Sequence, residues 1–306
     1  MTEAKFIHMN GTLVPYADAK VHIQSPGMKF GIGVFEGVRG YWNAKREQMF
    51  VFRLQEHLDR LQFSMRVMRM DHDLTNDRLT EATLEVIRAN EFRADIHLRP
   101  FAWVDGQGDM LATGPVAWSI AAVARPRSKL TEGVSCAVSS WRRISDTAMP
   151  PRVKASGNYI NSRLGAQQSQ LDGYDTVLML TEQGRVAESY GSCFFMIRNG
   201  RPVTPNVTSS ILESITRATL IDLLQEMTGR EVEQRDIDRT ELYDAEEAFL
   251  CGSSYEVQPI LSIDRLDVGT GQVGALTRRL QQRYFDLVYG ETNEHSDWLT
   301  PVYGAR

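Results

Sequence analysis

The sequence predicts a mixed α/β (α+β) chain of two lobes, a small α/β lobe followed by a larger β-rich one, and three observations carry this. Short apolar runs of strand-like composition recur along the chain, apolar residues recur at helical spacing in several stretches, and a polar, proline-bearing segment interrupts both patterns at Arg125 to Lys129. At 306 residues the chain exceeds one typical domain and is short for three, so two lobes with a site between them are expected. The expected division is a small amino-terminal domain over 1–124, a linker over 125–132 and a large carboxy-terminal domain over 133–306.

The first third opens with strand-like stretches at Phe6 to Met9 and Val21 to Gln24, followed by the glycine-rich run Phe30 to Arg39 (FGIGVFEGVR), which predicts strands and close turns. Leu54, Leu58, Leu61, Met65 and Met68 then mark one helix, and Leu79, Thr83, Val86 and Ile87 a second, before the apolar run Ala117 to Val123. Beyond the linker, strands are predicted at Val134 to Ser139, Thr176 to Leu180, Arg185 to Glu188, Cys193 to Ile197 and Ala248 to Cys251. Two helices lie among them, Ile215 to Met227 stopped by Gly229 and Leu276 to Val288 stopped by Gly290.

Composition narrows the function. A net charge of −5 with 42% apolar residues argues against an electrostatic grip on nucleic acid or an anionic membrane and favours a small-molecule ligand. Three cysteines, none in a CxxC pair or at metal-ligand spacing with the histidines, fit a reducing, cytoplasmic setting and no metal. The amino-terminal residues carry no export-signal pattern, and no apolar run approaches the ~20 residues of a membrane span. The motifs of serine hydrolases, dinucleotide folds and HExxH metalloenzymes are missing, and Gly31-Ile32-Gly33 lacks the downstream glycine and helix of a nucleotide loop.

Six lysines occur, and Lys154 is the one followed by small residues, Ala155-Ser156-Gly157, that let a planar group approach the backbone. Alone it reads as a solvated surface lysine, as most lysines are. Glu188 closes a predicted strand, where it either meets a protonated ring nitrogen or is simply hydrated. Ser209 to Arg217 leads from a polar loop into a helix, so the first-turn N–H groups and the Thr216 hydroxyl suit a phosphate, the alternative being an ordinary cap by Ser214. Cys251 to Tyr255 supplies a second Gly/Ser turn of similar donor character. Arg60 falls on the polar side of its helix, where a solvated group is the usual reading; Arg99, after a predicted strand, better suits a carboxylate fork. An amine, a hydroxyl, an acid for a pyridine nitrogen and a phosphate cradle together are what a Schiff base with pyridoxal phosphate requires.

Asp18 to His22, Gly33 to Arg39, His57 to Leu61, Lys154 to Tyr159, Glu188 and Ser214 to Arg217, in this order from about residue 6 to about residue 290, resemble the branched-chain aminotransferases, fold-type IV pyridoxal-phosphate enzymes. The resemblance implies pyridoxal 5′-phosphate between the lobes, with Lys154 as the Schiff-base lysine and proton carrier, Tyr159 bonding the phenolic oxygen and Glu188 pairing with the pyridinium nitrogen. It implies that Arg60, Ile215, Thr216 and Ser253 hold the phosphate, with Leu212 packed against the ring. Phe30, Phe35, Gly37, Arg39, His97, Arg99, Ser254 and Tyr255 match substrate-pocket positions. The implied activity moves an amino group between an L-amino acid, of branched-chain type, and a 2-keto acid such as 2-oxoglutarate by a ping-pong route, in a homodimer or larger assembly. Within the same fold, a D-amino-acid or (R)-amine transaminase is the alternative and aminodeoxychorismate lyase a more distant one; Phe35, Gly37 and Arg99 favour the branched-chain pattern. A catalytically silent binding protein is disfavoured by the presence of Lys154.

The chain also departs from the family. His97 stands where a carboxylate-gripping tyrosine is usual, Phe30 where tyrosine is frequent, and Cys193 where asparagine is common. Asp109-Met110-Leu111 replaces a loop of small and apolar residues, and Ser253-Ser254-Tyr255 a Thr-Ala-Ala turn. His97, Asp109 and Tyr255 predict a more polar pocket than one built for aliphatic side chains.

Overall fold

A computed structural model describes residues 4–127 and 132–304. The central part of the expected linker, residues 128–131, lies outside them. The chain groups into two compact units whose sequence is interleaved: one takes the chain up to Arg127, Val153–Gly157 and the chain from Asp286, the other, among the described residues, 132–152 and Asn158–Phe285. The continuous division expected from the sequence thus differs from this grouping at two segments. Val153–Gly157 belongs with the first unit because its backbone is hydrogen-bonded there, Phe35 N–H donating to Lys154 C=O at 3.0 Å and Ser156 N–H to Gly33 C=O at 2.9 Å.

The first unit contains strands β1 (Phe6–Met9), β2 (Thr12–Pro15), β3 (Gly33–Phe35), β4 (Val38–Asn43), β5 (Gln48–Phe52), β6 (Ile96–Val104) and β7 (Val116–Ala124), with helices α1 (Pro26–Phe30), α2 (Leu54–Val67) and α3 (Asn76–Asn90). Strands β6 and β7 form a long antiparallel hairpin in continuous register from Ile96↔Ala124 to Val104↔Val116. Helix α2 buries Leu58, Leu61 and Met65 in a core shared with Val34, Val38 and Val51, as its apolar spacing predicts. Each such side chain contributes about 1.5–3 kcal/mol by leaving water. Helix α3 is capped by Thr75, whose side chain accepts from Arg78 N–H.

The expected strand at Val21 to Gln24 is a turn. Ser25 N–H donates to His22 C=O at 3.0 Å and Gln24 N–H to His22 Nδ1 at 3.1 Å. Ser25 then caps α1, with Pro26 at its first position, so local capping wins over a two-residue alternation.

The second unit contains β8 (Val134–Arg142), β9 (Thr176–Leu180), β10 (Val186–Ser189), β11 (Cys193–Arg198), β12 (Arg201–Pro205), β13 (Glu233–Arg235), β14 (Glu247–Gly252), β15 (Glu256–Ile263) and β16 (Leu266–Asp267). They form one mixed sheet in the order β10-β9-β8-β15-β14-β11-β12-β13, with β16 on β15. Its helices are α4 (Asn158–Leu171), α5 (Ile215–Thr228) and α6 (Ala275–Val288). Helix α5 begins where Ser214 accepts from Arg217 N–H at 3.2 Å and ends at Gly229, φ 64°.

Helix α4 is an addition to the sequence expectation. It buries Asn158, Ser162, Gly165 and Ser169, while Ile160 and Leu164 are exposed, so its apolar pattern is inverted. A last strand, β17 (Leu299–Pro301), returns to the first unit and pairs antiparallel with β5, closing the order β17-β5-β4-β6-β7-β1-β2, with β3 on β6.

Candidate active site

In the first unit the sheet register brings Phe35, Arg39, His97 and Arg99 to one face. Phe35 pairs with Phe101 and Arg39 with His97, and residues two apart on β6 share a face. Arg99 therefore lies within β6 and not after a strand, as the sequence suggested. The Phe35 ring carries two cations: Lys154 Nζ lies 5.1 Å and Arg99 Cζ 4.6 Å from its centroid. Gly37 passes so close to His97 that a Cβ there would lie 3.1 Å from Nε2. Arg39 is buried, its Nη1 donating to Arg125 C=O at 3.0 Å and its Cζ 5.3 Å from the Tyr41 ring centroid.

His97 is buried among these cations. Burial first, then the charges of Arg99, Arg125, Arg39 and Lys154, push its pKa down to about 3, which leaves a neutral imidazole near pH 7. Phe30 is 43% exposed at the end of α1, with Lys29 Nζ 5.3 Å from its ring centroid. Asp109 is exposed and accepts from Leu111 N–H at 2.8 Å, so its carboxylate serves its own loop; Met110 and Leu111 beside it are exposed.

Arg60 is not the solvated group its helix position suggested. Its Nε and Nη2 donate to Glu36 Oε1 and Oε2, both at 2.7 Å, and its side chain is only 13% exposed. His57 Nδ1 lies 2.7 Å from Glu36 Oε2. Burial alone would raise the Glu36 pKa, but the charge and hydrogen bonds of Arg60, joined by His57, hold it well below the usual carboxylate range. Glu36 and His57 lie in the segments Gly33 to Arg39 and His57 to Leu61, but their pairing with Arg60 is not legible there, because a buried ion pair has no local signature.

In the second unit, Glu188 is buried on β10. Arg143 donates to its Oε1 from Nε at 2.8 Å and Nη2 at 2.7 Å, while Oε2 accepts from Leu212 N–H at 3.2 Å. The Cys193 thiol lies 3.8 Å from the same Oε2 and 3.4 Å from the Leu212 carbonyl oxygen. Sequence reasoning missed Arg143, which follows β8 in an unpatterned WRRIS run. Helix α5 opens with Ile215 and buried Thr216 behind the Ser214 cap.

Ser253, Ser254 and Tyr255 form the turn after β14, closed by Tyr255 N–H donating to Gly252 C=O at 3.0 Å. The Tyr255 ring stands edge-on to Tyr190 with centroids 6.1 Å apart. A Cβ on Gly252 would lie 3.7 Å from Ser192 Cα. The Ser192 hydroxyl is buried there without a hydrogen-bond partner among the described residues. Tyr159 lies in the first turn of α4, five residues along the chain from Lys154.

A family model described as amino-transferase class IV matches residues 33–263. The chain belongs to the class IV aminotransferases. A probable branched-chain-amino-acid aminotransferase of Aquifex aeolicus is 37% identical over 304 residues, 97% of each chain. The branched-chain-amino-acid aminotransferase of Escherichia coli K12 is 36% identical over 308 residues, 98% of each. Among solved structures, the pyridoxal-phosphate form of the branched-chain amino acid aminotransferase from Thermobaculum terrenum matches with TM-score 0.93 and 41% identity, covering 99% of this chain and all of that one. For this class IV aminotransferase, the mixed two-sheet fold agrees with those structures. Among the described residues no helix is long and apolar enough to cross a membrane.

Proposed function

We propose that this aminotransferase uses pyridoxal 5′-phosphate to move an amino group between an L-amino acid, of branched-chain type, and a 2-keto acid such as 2-oxoglutarate. The single observation that carries the reading is the shared Phe35 ring. An amine suited to taking an α-proton and a guanidinium suited to a carboxylate stand 5.1 and 4.6 Å from one centroid. The names of the relatives support the branched-chain assignment.

The donor set fits the cofactor. Glu188 is a buried carboxylate turned by Arg143, the α5 N-terminus offers first-turn N–H groups, and the buried Ser192 hydroxyl beside Gly252 needs a partner. In this reading Arg60, Ile215, Thr216 and Ser253 hold the phosphate, Leu212 packs on the ring, Tyr159 bonds its phenolic oxygen and Glu188 orients its pyridine N–H. When bound, the group supplies an electron-withdrawing ring that acidifies the substrate α-C–H and stores the amino group between half-reactions.

Lys154 Nζ takes and returns the α-proton, which requires it to be neutral at that moment. Arg99 pairs with a carboxylate, and Phe35, Gly37 and Arg39 shape the wall beside it. Neutral His97, Phe30, Ser254 and Tyr255 complete the substrate positions. Because donor product leaves before the acceptor enters, the kinetics are ping-pong.

Two expectations accompany this reading. A cytoplasmic setting is supported by three buried thiols. A homodimer at least is supported by the exposed Met28 and Leu111, on segments tied by Lys29 Nζ donating to Gly108 C=O at 2.7 Å, a surface for a second copy. Light scattering that gives a monomer would remove the latter.

The test is the colour of the protein reconstituted with pyridoxal phosphate. A band removable by borohydride is expected, lost together with amino transfer in Lys154→Ala. A colourless wild type would sink the cofactor assignment, and preferred use of D-amino acids or (R)-amines over L-amino acids would overturn the substrate class.

A further inference from the structure

Glu36 has no exposed side-chain surface, and its backbone is fixed where the chain passes from β3 to β4, its N–H donating to Pro100 C=O at 2.8 Å. A carboxylate in such a place persists only if its oxygens are satisfied. They are met by the Arg60 fork, by His57 and by Gly37 N–H at 3.3 Å. His57 is itself buried and held below its ordinary pKa, so its neutral Nδ1–H is the donor. Arginine on a helix surface normally samples many rotamers. Here two parallel hydrogen bonds fix the guanidinium plane, with the Nε–Nη2 edge turned inward to Glu36 and the small exposure of the pair belonging to Arg60.

We propose that Glu36 is a positioning residue for phosphate recognition: together with His57 it fixes the plane of the Arg60 guanidinium that meets the cofactor phosphate. This rests on the reading of Arg60 as a phosphate ligand given above. Two effects of Glu36 oppose one another, since its carboxylate orients Arg60 but also repels a phosphate dianion. Orientation dominating is the content of the proposal, and the sign of one measurement separates the two.

The measurement is the equilibrium binding of pyridoxal 5′-phosphate and of pyridoxal, which lacks the phosphate, to the full chain stripped of cofactor. The Kd of pyridoxal divided by the Kd of pyridoxal 5′-phosphate isolates the phosphate contribution and is indifferent to general loosening of the fold. Glu36→Gln is expected to lower that ratio by about tenfold or more, Glu36→Asp to restore part of it, and Glu36→Gln to change nothing further when Arg60 is already Gln. His57→Gln keeps the carboxylate and is expected to lower the ratio by about threefold, which covers the case in which Glu36→Gln does not fold. An unchanged or raised ratio in these variants overturns the positioning role while leaving the cofactor assignment standing. A wild type that binds the two compounds equally, or neither, overturns the reading of Arg60 and this inference with it.

Discussion

Arg143 closes on a single oxygen of Glu188, with Nε and Nη2 2.8 and 2.7 Å from Oε1. Both side chains are buried, so each charge depends on the other for its solvation. Arg143→Met is expected to cost about 3–5 kcal/mol in urea unfolding, because it leaves a buried carboxylate uncompensated. A loss below about 1 kcal/mol would mean that the pair behaves as a surface ion pair.

The neutral state of His97 gives the fold a pH dependence. Its folded pKa lies near 3 against an ordinary 6.5, so between those values the unfolded chain binds a proton that the folded chain refuses. The stability is therefore present above the unfolded pKa and is lost as pH falls from about 6.5 toward 3. From pH 7.5 to pH 5, the wild type should lose about 2 kcal/mol more than His97→Gln. Equal losses in parallel urea titrations would refute this. The depressed pKa of His57 acts in the same direction.

Two glycines of neighbouring position should respond differently to alanine. A Cβ on Gly37 would stand 3.1 Å from His97 Nε2, whereas one on Gly40 would stand 2.8 Å from Ile96 Cγ1 and 3.0 Å from Met49 Sδ in the core. Gly40→Ala is expected to cost about 1–3 kcal/mol with KM unchanged. Gly37→Ala is expected to raise the KM for the keto acid several-fold with less effect on stability. The same outcome from both would remove Gly37 from the substrate wall.

Ser214 caps α5 through Arg217 N–H at 3.2 Å. Ser214→Ala should cost about 1 kcal/mol and Ser214→Gly only a few tenths. Thermal unfolding of the three proteins checks the order, and a cap without energetic weight would leave them alike.

How much was legible in the sequence depended on where the signal lay. Helices α2, α3, α5 and α6 declared themselves because Leu58, Leu61 and Leu220 follow the helical period and Gly229 and Gly290 stop it. Helix α4 was hidden because it presents Ser162, Gly165 and Ser169 to the sheet and Ile160 to solvent, which reverses the usual pattern. Among the candidate residues, Lys154 and Glu188 could be picked out from flanking residues and motif order. Arg143 and Glu36 could not, since each is defined by a partner 45 or 24 residues away. Arg60 was misplaced for the same reason: helical position predicts an outward side chain, and only the tertiary partner Glu36 turns it inward.

The pairing of β17 with β5, in the register Leu299↔Phe52 to Pro301↔Phe50, bears on how the protein is made. Val302, fully buried in the first unit, follows every strand and helix of the second unit along the chain. The first unit is thus begun before the second and completed after it, and β5 emerges long before the strand that covers its edge. Until β17 emerges, that edge offers unpaired backbone to any passing strand. A stop codon just ahead of β17 would therefore damage the unit begun earliest and leave the later one whole.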